Sequence, residues 1–430
     1  MLVAAGSLVA QAPRVQSLEP AAGDVEVDAA KVQELVIVFD RDMNTGGMSV
    51  VGGGPTFPKF AGKPKWDGAR TLRIPVQLEA DHGYRMSLNS STFTNFRSQD
   101  GTALAPVPWS FSTLPAELRS ATEQKKRNDD ALKALLATLR KHYSYYDLRI
   151  DDWDALLAKH RSQILAAQSD LGFAARAAKM LESAEDIHLS LRLRDQTLAT
   201  FQRAVDPLYR EPIIQRRIQV RQAGPMALAG RTDDGIGYLM IASWMPPVDT
   251  KKIGEAIRDL GDTKAMIVDV RPNSGGDETL AQEIAAWFVE GTAVYAKNRY
   301  RTGPGEKGFG KVLERSIRGH GGDRHYSGRV VVLTSRYVMS SNEAFVLMMK
   351  QAKDCVVVGQ TTYGSSGNPK PFTLPNDVVV VVPTWQAMLP DGTPFEGRGI
   401  EPDVRVACTG EDFVDQDPIL EAALEKLRAK

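Results

Sequence analysis

From Ile236 onward, short apolar runs alternate with amphipathic ones, and that alternation restricts the fold more than any other feature of the sequence. The runs at 238–242, 265–270, 330–334, 355–359 and 378–383 are almost wholly apolar and rich in Val and Ile. Strands of that kind are buried on both faces, and stretches with helical spacing at 252–260, 279–289 and 342–350 lie between them. Such alternation predicts an α/β domain around a largely parallel sheet, in which sites gather at the carboxyl ends of the strands. The Gly- and Arg-rich segment 299–328 reads as a long loop near that end.

The preceding sequence has a different texture. Residues 17–115 are rich in Gly, Pro, Thr and Val, with short alternating strands such as 34–40 and 71–77 between turn residues, the pattern of an all-β sandwich. Residues 116–205 turn charged and helix-forming, interrupted at 143–153 by an aromatic turn whose tyrosines suit packing. The expected layout is therefore 17–115 sandwich, 116–205 helical segment and 206–430 α/β domain. Residues 1–16 look like the remnant of a signal peptide, with Ala10-Gln11-Ala12 as an A-x-A site but no basic start. They suggest an exported protein, periplasmic or extracellular.

Charge and composition exclude several classes. Lys+Arg and Asp+Glu both number 53, so no global basic field draws in nucleic acid or an anionic membrane. No run approaches the ~20 apolar residues of a membrane-spanning helix. Cys355 and Cys408 form at most one bridge. HExxH is absent and the acidic stretches lack ligand spacing, so no metal or other cofactor is expected. Asp195, Asp233 and Asp234 sit in turn-like sequence and read as solvated.

Three strand ends carry candidate chemistry. Residues 265–276 run a strand into DVRPNSGG, where Gly275 and Gly276 let backbone amides approach a bound carbonyl oxygen. Residues 330–349 run a strand into MSSNEAF, placing Ser340 and Ser341 at a helix start, where a serine ordinarily caps the helix but a nucleophile would gain amides for an oxyanion. Residues 355–372 lead into a Gly/Ser loop.

Two resemblances follow from these segments. Residues 19–28, 36–43, 83–88 and 109–113 resemble bacterial Ig-like domains of exported proteins. DVRPNSGG, MSSNEAF, VVGQTTYG at 357–364 and EGRGIEPDV at 396–404 resemble, in order, the S41 serine peptidases, which include the tail-specific C-terminal processing proteases and the tricorn core. That resemblance implies a crotonase/ClpP-like α/β catalytic domain and hydrolysis of peptide bonds in unstructured polypeptides. Ser340 takes the nucleophile position, and the amides of Ser341 and of Gly275 or Gly276 form the oxyanion hole. The position that holds a lysine base in processing proteases is occupied by Ser365, and Lys370 lies too late. The PDZ domain of those proteases finds no room between His188 and Ile236.

The segment 184–191, AEDIHLSL, resembles the tricorn-like members in which a histidine is the base, and it puts His188 there. The resemblance implies a glutamate as third member, with Glu396 the first choice and Glu401 and Asp403 as competitors. Because Ile187 stands where tricorn-like members carry a serine, a polar relay would run through Ser190 or Ser365. The loss of the lysine leaves a second reading open, a peptide- or ligand-binding protein that does not cleave.

Overall fold

The computed structural model describes residues 12–429 apart from residues 91 and 203. Ala10 and Gln11 of the expected leader lie outside the described residues.

The N-terminal part is all β. Strands Val15–Glu19, Glu34–Phe39, Thr71–Gln77 and Lys59–Phe60 form one antiparallel sheet, with Lys65–Asp67 also on Thr71–Gln77. Val50–Val51, Gly83–Leu88 and Val107–Ser112 form a second. Side chains alternate across each strand, so Leu35, Ile37, Phe39, Leu72, Ile74, Tyr84, Met86 and Leu88 all turn into one core.

Three capped helices follow. Ser120, Asp152 and Ser169 each accept an amide hydrogen bond at the start of Ala121–His142, Trp153–Leu165 and Asp170–Leu181. These helices cover a four-stranded antiparallel sheet ordered Gln196–Ala199, Ser190–Leu193, Val379–Pro383 and Pro369–Thr373. The run at 378–383, expected in the parallel sheet, thus belongs here. An apolar run announces a buried strand but not which sheet will pair with it. The unit beginning at 116 is therefore completed by chain from beyond 365.

The α/β part is a seven-stranded sheet ordered Gln219–Gln222, Ala227–Arg231, Gly237–Ile241, Ala265–Asp269, Arg329–Thr334, Val356–Gly359 and Val404–Arg405. It is parallel from Gly237–Ile241 onward. Alternation sorts each strand between two cores. Leu239, Met266, Val268 and Val332 face helices Thr250–Asp259, Glu278–Ala285 and Ser341–Met349. Tyr238, Ile267, Val331 and Leu333 face Glu211–Arg217 and Pro418–Arg428.

Segment 299–328 is not a simple loop. Leu313–Arg318 pairs with Thr292–Tyr300, which also pairs with Trp385–Met388. The glycines and arginines at its ends masked a short strand in which only Ile317 is buried. Cys355 and Cys408 are both free and pack against opposite faces of the seven-stranded sheet, which rules out a bridge in this fold.

Candidate active site

Ser340 closes the turn between strand Arg329–Thr334 and helix Ser341–Met349. Its backbone sits at φ 58° and ψ −131°, a conformation costly for a residue with a β-carbon. The Ser340 amide is held from two sides, donating to Ser365 O at 2.8 Å and Glu343 Oε2 at 3.2 Å. Its hydroxyl makes no helix cap and instead lies 3.2 Å from His188 Nε2.

Every residue of helix Ser341–Met349 is buried, so Glu343 is a carboxylate inside a core helix and needs partners. It has four: the Ser340 and Ser365 amides on Oε2, the Gly364 amide at 2.7 Å and the Thr362 hydroxyl at 2.5 Å on Oε1. Burial pushes Glu343 up to about 7 against the pull of these donors. Glu343 thus ties the nucleophile turn to the Gly/Ser loop. Its serine-x-x-glutamate spacing from Ser340 is the capping-box pattern, a signal that sequence reasoning could have used.

His188 lies between helix Asp170–Leu181 and strand Ser190–Leu193. Asp186 shapes the loop by accepting the His188 amide at 2.9 Å. The ring's Nδ1 is 2.9 Å from Ser365 Oγ and 4.0 Å from Asp186 Oδ1. Burial lowers the imidazole below its usual range; Asp186 opposes that shift and Arg149 adds to it. Serine, imidazole and second serine therefore form one continuous line from Ser340 to Ser365.

Glu396 was expected to hold the imidazole, and here the geometry differs. No hydrogen bond joins it to His188 among the described residues. Its Oε1 takes Arg149 Nη2 at 2.5 Å and its Oε2 the Ser366 amide at 3.0 Å. Burial and the neighbouring Asp186 charge push it up to about 8. The carboxylate nearest the ring is Asp186, fully buried and also bonded by Tyr143 Oη at 2.8 Å. Spacing could not separate the acids because Asp186 and Glu396 meet only through the fold. Glu401 is exposed and paired with Arg405, and Asp403 takes Lys350 Nζ and the Val357 amide. Ser190 sits in its strand with no side-chain bond to the ring, and Lys370 is exposed on strand Pro369–Thr373.

The glycine turn abuts Ser340. A β-carbon on Gly275 would come within 2.9 Å of Ser340 Cβ, and one on Gly276 within 2.4 Å of the Trp244 carbonyl carbon, so neither position tolerates a side chain. Both glycines also have positive φ. Gly275 spends its amide on Asn273 Oδ1 at 2.8 Å, which removes it as an oxyanion donor. The amides of Gly276 and Ser341 find no acceptor among the described residues, and Ser341 Oγ donates to Gly276 O at 2.9 Å, clamping the two turns together.

The domain that carries these residues has known relatives. Residues 235–406 match the sequence profile of Peptidase family S41. That stretch is a peptidase family S41 domain. The chain is 22% identical over 186 residues to the carboxy-terminal processing protease CtpB of Bacillus subtilis, covering 43% of this chain and 36% of that protein. It is 30% identical over 105 residues to the tail-specific protease of Haemophilus influenzae, covering 24% and 13%. The matches thus span little more than a third of these relatives at most. A solved peptidase-like protein of Parabacteroides merdae superposes with a TM-score of 0.62 at 26% identity, covering 71% of this chain and 98% of that one. Mature CPAF shares the fold at a TM-score of 0.51 and 13% identity. Among the described residues no group of three or more His, Cys, Asp or Glu is gathered to hold a metal, and no helix is long and apolar enough to cross a membrane.

Proposed function

We propose that the S41 domain makes this chain a serine peptidase acting on unstructured polypeptide. The observation that carries the reading is the Ser340 hydroxyl, on a strained turn, 3.2 Å from His188 Nε2 and beside the Gly276 and Ser341 amides, which have no acceptor among the described residues. His188 takes the Ser340 proton as the oxygen attacks a peptide carbonyl; general-base catalysis of this kind contributes about 10² to 10⁴. The Gly276 and Ser341 amides receive the oxyanion, each such donor being worth about 10² to 10³. The imidazolium then protonates the departing amine, and water, deprotonated by the same ring, releases the acyl group.

For Nε2 to accept, the proton must sit on Nδ1, where Ser365 Oγ is the acceptor. Asp186, rather than Glu396, supplies the charge that faces the imidazolium. Burial and the Asp186 charge raise Glu396 while it receives Arg149, so Glu396 serves that arginine rather than the imidazole. The Ig-like character of 17–115 and export of the protein belong to the same proposal.

A fluorophosphonate probe tests it. Wild type should label at Ser340, located by mass spectrometry, and Ser340→Ala and His188→Ala should not label although both fold. Absence of labelling in folded wild type would overturn the reading in favour of a protein that binds peptides without cleaving them.

A further inference from the structure

A second concavity lies away from Ser340, between the N-terminal β part and the helical part, with a volume of about 1150 Å³. Pockets for small ligands run to about 300–1,000 Å³, so this cleft exceeds what a metabolite requires. Two struts hold it open. Glu26 receives the Gln168 amide at 2.6 Å and Arg176 Nη2 at 2.8 Å on one side. Asp81 pairs with Arg194, and His82 Nδ1 meets Gln196 Nε2 at 3.2 Å, on the other.

One wall is strand Gln196–Ala199, the outer strand of its sheet. It forms a two-residue hairpin with Ser190–Leu193, in which Gln196 faces Leu193 across the turn. In such a hairpin the flanking pair exchanges hydrogen bonds, so Gln196 and Leu198 bond inward and Thr197 and Ala199 present N–H and C=O outward. Neither outward pair has a backbone partner among the described residues. An open edge of this kind is a template for an added strand. The opposite wall carries Arg85, exposed and with no carboxylate partner among the described residues, whereas Arg176 and Lys179 are matched by Glu26 and Glu182. Beyond Ala199, Thr200 donates to Leu189 O at 2.8 Å, so the strand ends against the loop that carries His188.

We propose that this cleft docks an extended, carboxylate-bearing polypeptide, which adds as a strand to Gln196–Ala199 with its acidic group on Arg85. The proposal rests on the reading that the chain handles polypeptide, and it assigns the N-terminal β part a share in gripping that polypeptide at a distance from the scissile bond.

The test is binding of a short fluorescein-labelled peptide of alternating Val and Glu, and of its Val/Gln counterpart, to the full chain carrying Ser340→Ala so that no turnover intervenes. The acidic peptide should bind, and Arg85→Glu should weaken it about tenfold and abolish its advantage over the Gln peptide. Ala175→Trp, which fills the cleft from helix Asp170–Leu181, should weaken both peptides. Arg85 is an exposed side chain, so that variant keeps the test intact if the tryptophan prevents folding. Hydrogen exchange should show new protection at Thr197 and Ala199 on saturation with peptide. No binding, binding indifferent to Arg85→Glu, or protection confined to other segments overturns the proposal. Cleft-dependent binding by a chain whose Ser340 fails to label would remove the peptidase reading and leave the cleft standing; labelling without cleft-dependent binding would do the reverse.

Discussion

Two arginines, Arg271 wholly buried and Arg149 half-buried, sit among carboxylates and do different work in this molecule. Arg271, at the end of strand Ala265–Asp269, gives Nε and Nη2 to Asp269 and Nη1 to Asp417 and Leu208 O, and Tyr238 Oη completes Asp269. Its side chain is wholly buried. That cluster has a fixed pattern of donors and acceptors, with only Asp417 Oδ2 left over, and it braces the turn leading to Gly275 and Gly276. Among the described residues Arg149 reaches only Glu396, leaves its own Nε without a partner, and shares its surroundings with Asp186 and His188. The first arrangement is nearly saturated and has no reason to exchange a proton. The second is under-saturated, and burial pushes Glu396 up to about 8, which suits a site that must move a proton.

The largest expected effect separates the clusters by stability. Arg271→Met leaves Asp269 and Asp417 buried without their cation and should cost about 3–5 kcal/mol in denaturant unfolding. Arg149→Met should cost less, because Arg149 covers one carboxylate rather than two; equal losses would erase the distinction. Next comes Ser365→Ala, which removes the Nδ1 partner and should lower kcat by about 10- to 100-fold with KM little changed, the scale of one hydrogen bond to a charged group. An unchanged kcat would take Ser365 out of the relay.

Smaller effects appear against pH. Because burial lowers His188, kcat/KM should rise with pH along a limb lying below about 6.5, the free imidazole value. Asp186→Asn removes the charge that holds His188 up, so the limb should move to still lower pH. A move in the opposite direction would reassign the field at the ring. The smallest effect concerns Glu396. Burial and the Asp186 charge raise it from an ordinary carboxyl value of 4.5 to about 8, so its contribution to stability is full below 4.5 and lost as pH rises through about 8. Glu396→Gln should flatten that part of the profile of Tm against pH, and an unchanged slope would show that the extra proton resides elsewhere.

Much of this was legible beforehand, for reasons that differ by residue. The strands ending at Asp269, Thr334 and Gly359 are local in sequence, and their apolar runs and glycine turns announced them. Ser340 and His188 were found through ordered motifs, and the fold puts them within hydrogen-bond reach. Glu343 is marked by its spacing from Ser340, but the partners its carboxylate finds at Thr362, Gly364 and Ser365 depend on the fold. Asp186, two residues from His188, reads from sequence as a loop residue bonding the backbone, and only its burial beside the ring gives it an electrostatic part. Tyr143 and Arg149 share one segment while Glu396 lies 247 residues beyond Arg149, and nothing in spacing could have joined it to them.

Periodicity and turn chemistry act over a few residues, so the elements, their order, and the serine, histidine and glycines at strand and helix ends could be read from the chain alone. Folding in three dimensions sets which carboxylate faces the imidazole, which glycine amide is spent within the protein, and that strand Val379–Pro383 completes the helical unit rather than the parallel sheet. Those outcomes depend on burial and on hydrogen bonds between residues far apart in the chain, where the desolvation of one group is set by neighbours that local sequence does not name.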